Sequence, residues 1–149
     1  MSAFVTAGGG FLLGVLWLDL MFDVQVIGQG DLELPGPVLA SIAAYYARVT
    51  TAARPMNRLI ALTMLATLTA IIAELAEGVG PAWAVWASLG LALAPIALAG
   101  SRTVPSAVRL GLHRDGAQAE SRMARAILRQ HLFCLGSIAA LITVQLAAI

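Results

Sequence analysis

Two aspartates and one histidine are the residues of this sequence whose types and spacing could do chemistry. Asp19 and Asp23 lie in the apolar stretch AFVTAGGGFLLGVLWLDLMFDVQVI, and His131 lies in RAILRQHLFCLGSIAALI. A spacing of four residues stacks two carboxylates on one face of a helix, one turn apart. Carboxylates and an imidazole together can serve as general acid and base. The sequence therefore predicts a candidate catalytic site of Asp19, Asp23 and His131.

The composition places these residues in a lipid bilayer. The 149 residues are 60% hydrophobic and only 11% charged, whereas a soluble domain carries about 25% charged residues. All nine basic residues are arginine, so a lysine Schiff base to a retinal-type chromophore is excluded. The single cysteine, Cys134, excludes an internal disulfide and a CxxC motif.

Four apolar windows are long enough to cross a membrane, which takes roughly 20 residues each. Without water in the bilayer core such segments must be helical. We therefore predict an all-α membrane protein, a single domain over residues 1–149 built as a four-transmembrane-helix bundle. The approximate spans are Phe4–Ile27, Met56–Leu75, Trp83–Gly100 and Ile127–Ala148.

The arginines lie in alternate loops. The turn AEGVGPA between the second and third spans has no basic residue, whereas the first and third loops are rich in arginine. By the positive-inside rule, these two loops are cytoplasmic and both termini lie outside.

In the first loop, Leu39, Ile42, Tyr46 and Val49 recur at helical spacing after Pro37. This pattern predicts a short amphipathic helix, lying at the membrane interface or packed under the bundle. In the third loop, the residues after HRDG predict an extension of the last helix.

This orientation puts Asp19, Asp23 and His131 in the same leaflet as several arginines. Buried carboxylates often pair with arginine, which neutralises them and fixes helix register. Structural ion pairing is therefore the leading expectation for the aspartates, ahead of a ligand or catalytic site. Nearby arginines would also repel a cation, so we predict no metal and no cofactor. The ion-pair candidates are Arg58, Arg102 and Arg129.

Other polar and small residues favour structural roles. Gly10 and Gly14 form a GxxxG pair, which lets two helices approach closely. They fall on the side of the first helix opposite the aspartates. Glu74 and Glu77 are expected to be solvated at the outer end of the second span.

Three segments resemble a known superfamily over most of the chain. The segments GGGFLLGVLWLDLMFD, YYARVTTAARPMNRLIAL and RAILRQHLFCLGSIAALI look like small four-helix membrane proteins that include the anthrone oxygenase-like proteins. The resemblance implies a cofactor-independent oxygenase acting on a polycyclic phenolic, with histidine and acidic residues assisting deprotonation. His131 matches the start of the last helix in that pattern, whereas Asp19 and Asp23 match no catalytic pattern of the group.

Three functions follow from these observations, in decreasing order of expectation. The first is an accessory or structural subunit that binds other membrane chains or a second copy of itself through small-residue helix faces. The second is a small membrane enzyme acting on a lipophilic substrate. The third is a proton-coupled carrier in which Asp19 and Asp23 share a proton. In each case we expect an integral protein of the bacterial cytoplasmic membrane, in contact with lipid and without affinity for nucleic acid.

Overall fold

Every secondary-structure element in the described part of the chain is helical. The structure is a computed structural model that describes residues 2–30 and 32–148, without the side chain of Arg54. Six α-helices follow one another, joined in places by short 3₁₀ or π-helical segments. The α-helices are α1 (Ser2–Asp23), α2 (Gly36–Ala47), α3 (Arg54–Glu77), α4 (Ala82–Leu98), α5 (Val104–Leu112) and α6 (Ala117–Ala147).

Four helical stretches are long and apolar enough to cross a membrane, as the sequence predicts. They cover Ser2–Val26, Pro55–Glu77, Ala82–Leu112 and Ala117–Ala147. Proline in the first turn starts α2 and α3, where its missing N–H costs no helical hydrogen bond. Gly78 ends α3 in the left-handed region with φ of 64°, a conformation that glycine adopts without strain.

The four long helices form a closed ring. Helix α1 packs between α3 and α6, and α4 closes the opposite side against the same two helices. The ring buries an apolar core that includes Val5, Leu12, Ile71, Ile138 and Leu141. This packing holds α1 and α6 side by side along their length, and so brings Asp19 and Asp23 next to His131.

Helices α2 and α5 cover one end of the ring, which we call the capped end. They pack on each other and on α6, around the buried residues Leu39, Ile42, Leu110 and Ile127. The contact is close because a Cβ added at Gly111 would lie 2.7 Å from the Ala47 nitrogen. The first loop therefore contains a helix, α2, which buries Leu39 and Ile42 against α5 and α6; Val49 lies beyond its end.

The third span is longer than the sequence suggests. The helix continues beyond Gly100 through a π-helical segment, Ala99–Thr103, and on into α5 as far as Leu112. Pro95 lies inside α4, where its ring removes one backbone hydrogen bond. A second π-helical segment, Arg48–Ala52, joins α2 to α3. Both wide turns lie at the capped end.

The close helix contacts are not those that the GxxxG pair suggests. Nothing lies within 4 Å of a Cβ added at Gly10 or Gly14, so no described part of the chain packs there. The glycines that do allow close approach are their neighbours: Gly8 faces Thr67, and a Cβ at Gly9 would lie 2.9 Å from Ile142.

Candidate functional site

Asp23 is the centre of a buried hydrogen-bonded cluster at the capped end. Asp23 is the last residue of α1 and is only 1% exposed. One carboxylate oxygen, Oδ2, lies 2.6 Å from Nδ1 of His131 on α6. The other, Oδ1, accepts a hydrogen bond of 2.5 Å from the hydroxyl of Tyr46 on α2. Three separate helices therefore meet at this one carboxylate.

Asp19 lies one turn earlier on α1, on the other side of the imidazole. It accepts a hydrogen bond of 2.6 Å from the hydroxyl of Tyr45. Its Oδ2 is 3.9 Å from His131 Nε2, too long for a direct hydrogen bond. The Tyr45 ring stacks on Phe22 with a centroid separation of 4.0 Å, which fixes the direction of its hydroxyl. His131 thus stands between the two aspartates that the sequence places on one helix face.

The two tyrosines act as fixed proton donors. Burial, and then the hydrogen bond and the charge of Asp19, raise the pKa of Tyr45 above its ordinary value of 10.0. Burial and the neighbouring Asp23 carboxylate do the same to the pKa of Tyr46. Both hydroxyls therefore stay protonated across the physiological range and can only donate to the carboxylates.

The arrangement selects one tautomer of a neutral His131. A carboxylate that already accepts from Tyr46 can also accept the Nδ1–H proton, so Nδ1 carries the hydrogen and Nε2 carries the lone pair. The lone pair then points towards Asp19. An aspartate that orients a histidine in this way also stabilises the imidazolium that forms when Nε2 takes up a proton.

His131 lines a cavity of about 550 Å³, within the roughly 300–1,000 Å³ typical of small-molecule sites. Because Asp23 engages Nδ1 and does not line this cavity, we infer that Nε2 is the ring nitrogen on the cavity side. Both Asp19 and His131 contribute to its wall, whereas Asp23 lies behind the imidazole. The other polar side chains of the wall lie near the capped end, and the remainder is apolar. The cavity wall includes Leu12, Leu16, Tyr46, Thr50, Asn57, Met64, Leu65, Pro95, Gly100, Thr103, Cys134 and Ile138.

The arginines expected as ion-pair partners lie elsewhere. Arg58, Arg102 and Arg129 are exposed, and none forms an ion pair with either aspartate among the residues described. The partners of the aspartates in this part of the chain are tyrosine and histidine. Among the described residues, the arginine–carboxylate ion pair that does form lies near the turn before α6, where Arg109 binds Asp115 at 2.7 Å. His113 Nδ1 lies 2.7 Å from Glu120 Oε2 in the same region.

A second buried polar cluster lies near the other end of the ring. The Gln145 amide donates 3.1 Å hydrogen bonds to Glu74 and to Ser88, and Glu74 is only 4% exposed. The expectation that Glu74 is solvated is therefore wrong, because α3 turns this side chain towards α6. Glu77 is exposed, as expected. The buried residues Ile138 and Leu141 separate this cluster from His131 along α6.

Sequence reasoning missed Tyr45, Tyr46 and Asn57 as site residues. Tyr46 carries a signal in the helical spacing of α2, but only as an apolar contact. No local pattern shows that α2 folds back to the end of α1. Cys134 is buried and also lines the cavity.

The cluster has no metal-site geometry. Among residues 2–30 and 32–148, no group of three or more histidine, cysteine, aspartate or glutamate side chains could hold a metal ion. His131 already engages Asp23 through Nδ1. What the arrangement offers is proton transfer at Nε2, next to a carboxylate, inside an apolar chamber.

Comparison with protein-family models, with curated proteins and with solved structures finds no match to this chain. The resemblance to the anthrone oxygenase-like proteins therefore stays a prediction, and the function must be argued from the site.

Proposed function

We propose that this protein is a small membrane enzyme that transfers a proton to or from a lipophilic substrate. One observation carries the proposal: a histidine oriented by a buried aspartate presents its free nitrogen to a large apolar cavity. A purely structural Asp–His pair needs no such chamber beside it. Deprotonation of a phenolic substrate is also the step that the superfamily resemblance implies for His131.

In this proposal His131 is the general base. A substrate hydroxyl in the cavity can donate its one hydrogen bond to Nε2, while Asp19, 3.9 Å from that nitrogen, accepts from Tyr45. Nε2 takes the hydroxyl proton, and Asp23 stabilises the resulting imidazolium through Nδ1–H. Tyr46 holds Asp23 in place, and Tyr45 holds Asp19. The apolar walls exclude water, which strengthens each of these electrostatic contacts.

Deprotonation alone leaves no product, so the test follows the oxygenation that the superfamily resemblance implies, in which O2 oxidises the deprotonated substrate and its second oxygen atom leaves as water. The purified protein in proteoliposomes is supplied with a set of lipophilic phenols in air-saturated buffer, and mass spectrometry follows the oxygenated products. His131→Gln keeps a polar side chain but removes the base, and is expected to lower turnover by roughly 10²–10⁴-fold. Asp19→Asn and Asp23→Asn are expected to lower it as well.

His113→Gln is the matched control. It makes the same substitution at the other histidine, which lies outside the cavity beside Glu120. Its turnover should equal that of the unmodified protein. If His131→Gln keeps full turnover in a folded bundle, His131 is not the base and the proposed mechanism fails.

The placement in the cell belongs to the same proposal. We place the protein in the bacterial cytoplasmic membrane with both termini outside, so that the capped end and its arginines face the cytoplasm. Helix α2 would then lie at the inner membrane interface. Cysteines introduced at the exposed residues Glu33 and Val79, in a Cys134→Ser background, test this in intact cells. A membrane-impermeant thiol reagent should label the second and spare the first, and the reverse pattern would invert the topology.

A second candidate, the accessory subunit, is favoured by the open face of Gly10 and Gly14. In the described part of the chain nothing lies within 4 Å of a Cβ at either position. A second membrane helix could pack there closely. Gly10→Leu with Gly14→Leu should abolish co-purification of a partner chain or of a second copy, while Gly90→Leu with Gly136→Leu should not. Equal co-purification in both variants would exclude this surface.

A further inference from the structure

We infer that the cavity opens sideways into the bilayer and takes up a membrane-dissolved amphiphile from the leaflet at the capped end. This inference rests on the proposed function, since it names the class and the route of the substrate of that same site. It is carried by a gap between helices, by the polarity of the cavity and by the chemistry of its rim.

The gap lies between α3 on one side and the Ala99–Thr103 segment with α5 on the other. Within the described residues, α3 makes no backbone-level contact with either of these elements. The Arg48–Ala52 segment bridges them at the capped end, where it packs on both α3 and α5. Helix α4 closes the other end of the gap through its contact with α3. The result is a window in the side of the bundle.

Residues on both edges of the window line the cavity and are exposed at the surface. Ala61 and Leu65 form the α3 edge. Gly100, Val104 and Val108 form the opposite edge. None of these five side chains is charged or capable of hydrogen bonding, and all five residues belong to spans apolar enough to cross the membrane. Such a rim suits contact with lipid chains rather than with water.

The cavity changes from polar to apolar along the helices, as a lipid leaflet does from its surface to the middle of the bilayer. Its polar groups, including Asp19, Asn57 and His131, lie towards the capped end of the helices. From there the wall becomes apolar and runs to Leu12 and Ile138. Seven residues separate Asp19 from Leu12, and seven separate His131 from Ile138, which is about 10 Å of helix in each case. The apolar end is therefore nearer the middle of the bilayer and the polar end nearer its surface.

An amphiphile in that leaflet is already oriented to enter. Its polar group lies near the membrane surface, at the level of Asp19 and His131, and its apolar body points to the bilayer centre, at the level of Leu12. It can slide through the window without turning over and without crossing water. A single neutral hydroxyl can donate to Nε2, whereas a permanently anionic group has no proton to donate there and would be repelled by the Asp19 carboxylate. The substrate class is thus an apolar molecule with one neutral hydroxyl at one end.

Cys134 provides a direct test, because it is the only cysteine and it lines the cavity while being 5% exposed. The protein in proteoliposomes is treated either with an apolar maleimide or with a charged, membrane-impermeant thiol reagent. The charged reagent is added on both sides of the membrane by forming the vesicles in its presence. A charge in the membrane costs a few kcal/mol, so the apolar reagent should label Cys134 more than roughly tenfold faster.

The second measurement uses plug variants, in which a tryptophan introduced at the edge of the window blocks it. Gly100→Trp places a large ring at the rim, where an added Cβ meets no atom within 4 Å. Labelling by the apolar reagent should fall by roughly tenfold, which corresponds to a barrier increase of about 1.4 kcal/mol. Val104→Trp is a second plug on the same edge, in case the first variant does not fold. The matched control is Gly136→Trp on α6, which also has open space and does not line the cavity.

Labelling of Cys134 does not depend on turnover. The experiment therefore tests the entry window independently of the proposed role of His131 as a base. Equal labelling by both reagents would show that the cavity opens to water, and would overturn the inference. The inference is also overturned if neither reagent labels the folded protein while both label it in denaturant. It is overturned as well if the folded Gly100→Trp and Val104→Trp variants are labelled as fast as Gly136→Trp. If labelling is selective for the apolar reagent but His131→Gln keeps full turnover, the entry window is supported and the role of His131 as the base is excluded.

Discussion

Replacement of Asp23 by asparagine is the sharpest perturbation of this molecule. The side chain keeps its size, and only the charge and one acceptor oxygen are lost. Asp23 makes two contacts, with Tyr46 Oη at 2.5 Å and His131 Nδ1 at 2.6 Å. In the variant the amide oxygen can still accept from Tyr46, which leaves the amide N–H pointing at Nδ1. That contact is satisfied only if His131 moves its proton to Nε2.

The magnitudes follow from these two contacts. Hydrogen bonds to a charged group contribute about 1.5–3 kcal/mol each, and neutral ones about 0.5–1.5 kcal/mol. Two charge-assisted bonds become two neutral ones, so the free energy of unfolding should fall by about 1–4 kcal/mol. The effect on chemistry should be larger, because the lone pair no longer faces the cavity. The equivalent change in a Ser–His–Asp triad lowers kcat by about 10⁴-fold.

The assay is nitrogen NMR of the histidine-labelled protein in lipid nanodiscs. The protein has two histidines, so a His113→Gln background leaves His131 as the only signal. Protonated and unprotonated ring nitrogens resonate far apart, and the spectrum therefore reports the tautomer. We expect Nδ1–H in the parent protein and Nε2–H in Asp23→Asn. Reversible unfolding in mixed micelles measures the accompanying fall in the free energy of unfolding.

The reasoning is refuted if the parent protein already carries its single proton on Nε2. It is refuted equally if Asp23→Asn leaves the tautomer unchanged. Asp19→Asn serves as the matched control, since Asp19 lies 3.9 Å from Nε2 and makes no direct hydrogen bond to the ring. That variant should keep the Nδ1–H tautomer.

Three further predictions concern the capped end and α1. Tyr46→Phe leaves Asp23 with one partner fewer and should lower the free energy of unfolding by about 1–3 kcal/mol in a denaturant titration. Gly111→Ala forces a Cβ to 2.7 Å from the Ala47 backbone nitrogen and should cost about 1–3 kcal/mol, while Gly10→Ala, in open space, should be neutral or stabilising in the same titration. Because burial raises the pKa of Tyr46 in the folded state, only the unfolded chain ionises there just above its ordinary pKa of 10.0. The contribution of Tyr46 to stability should therefore be constant below that pH and be lost as the pH rises beyond it. Stability should then fall less steeply above pH 10.0 in Tyr46→Phe than in the parent protein; an equal slope in both proteins would contradict the argument.

Much of the architecture could be predicted from hydropathy alone. The four spans, α2 and the continuous last helix all follow from apolar periodicity and proline positions, because a bilayer permits little else than helices. The third span was predicted too short, since Gly100 and Arg102 resemble a loop. The π-helical turn at Ala99–Thr103 instead carries the helix on into α5.

The pairing of residues at the site could be predicted only in part. Asp19 and Asp23 share a helix face by their spacing, and the predicted spans put them at the same level as His131. Their partners could not be deduced in the same way, because an arginine and a tyrosine are equally able to satisfy a carboxylate. The choice depends on where α2 packs, and no pattern within α2 specifies the end of α1 as its neighbour.

The sequence by itself therefore determined an all-helical chain with four helices apolar enough to cross a membrane, and it placed two acids and a histidine at one level along those helices. Local patterns suffice for this, since burial in lipid and helical spacing act over a few residues. The tertiary structure decided that tyrosines rather than arginines bind the aspartates, that Asp23 orients His131, and that Nε2 faces a cavity. These outcomes depend on contacts between residues up to 108 positions apart, and only the packing of α1, α2 and α6 brings them together.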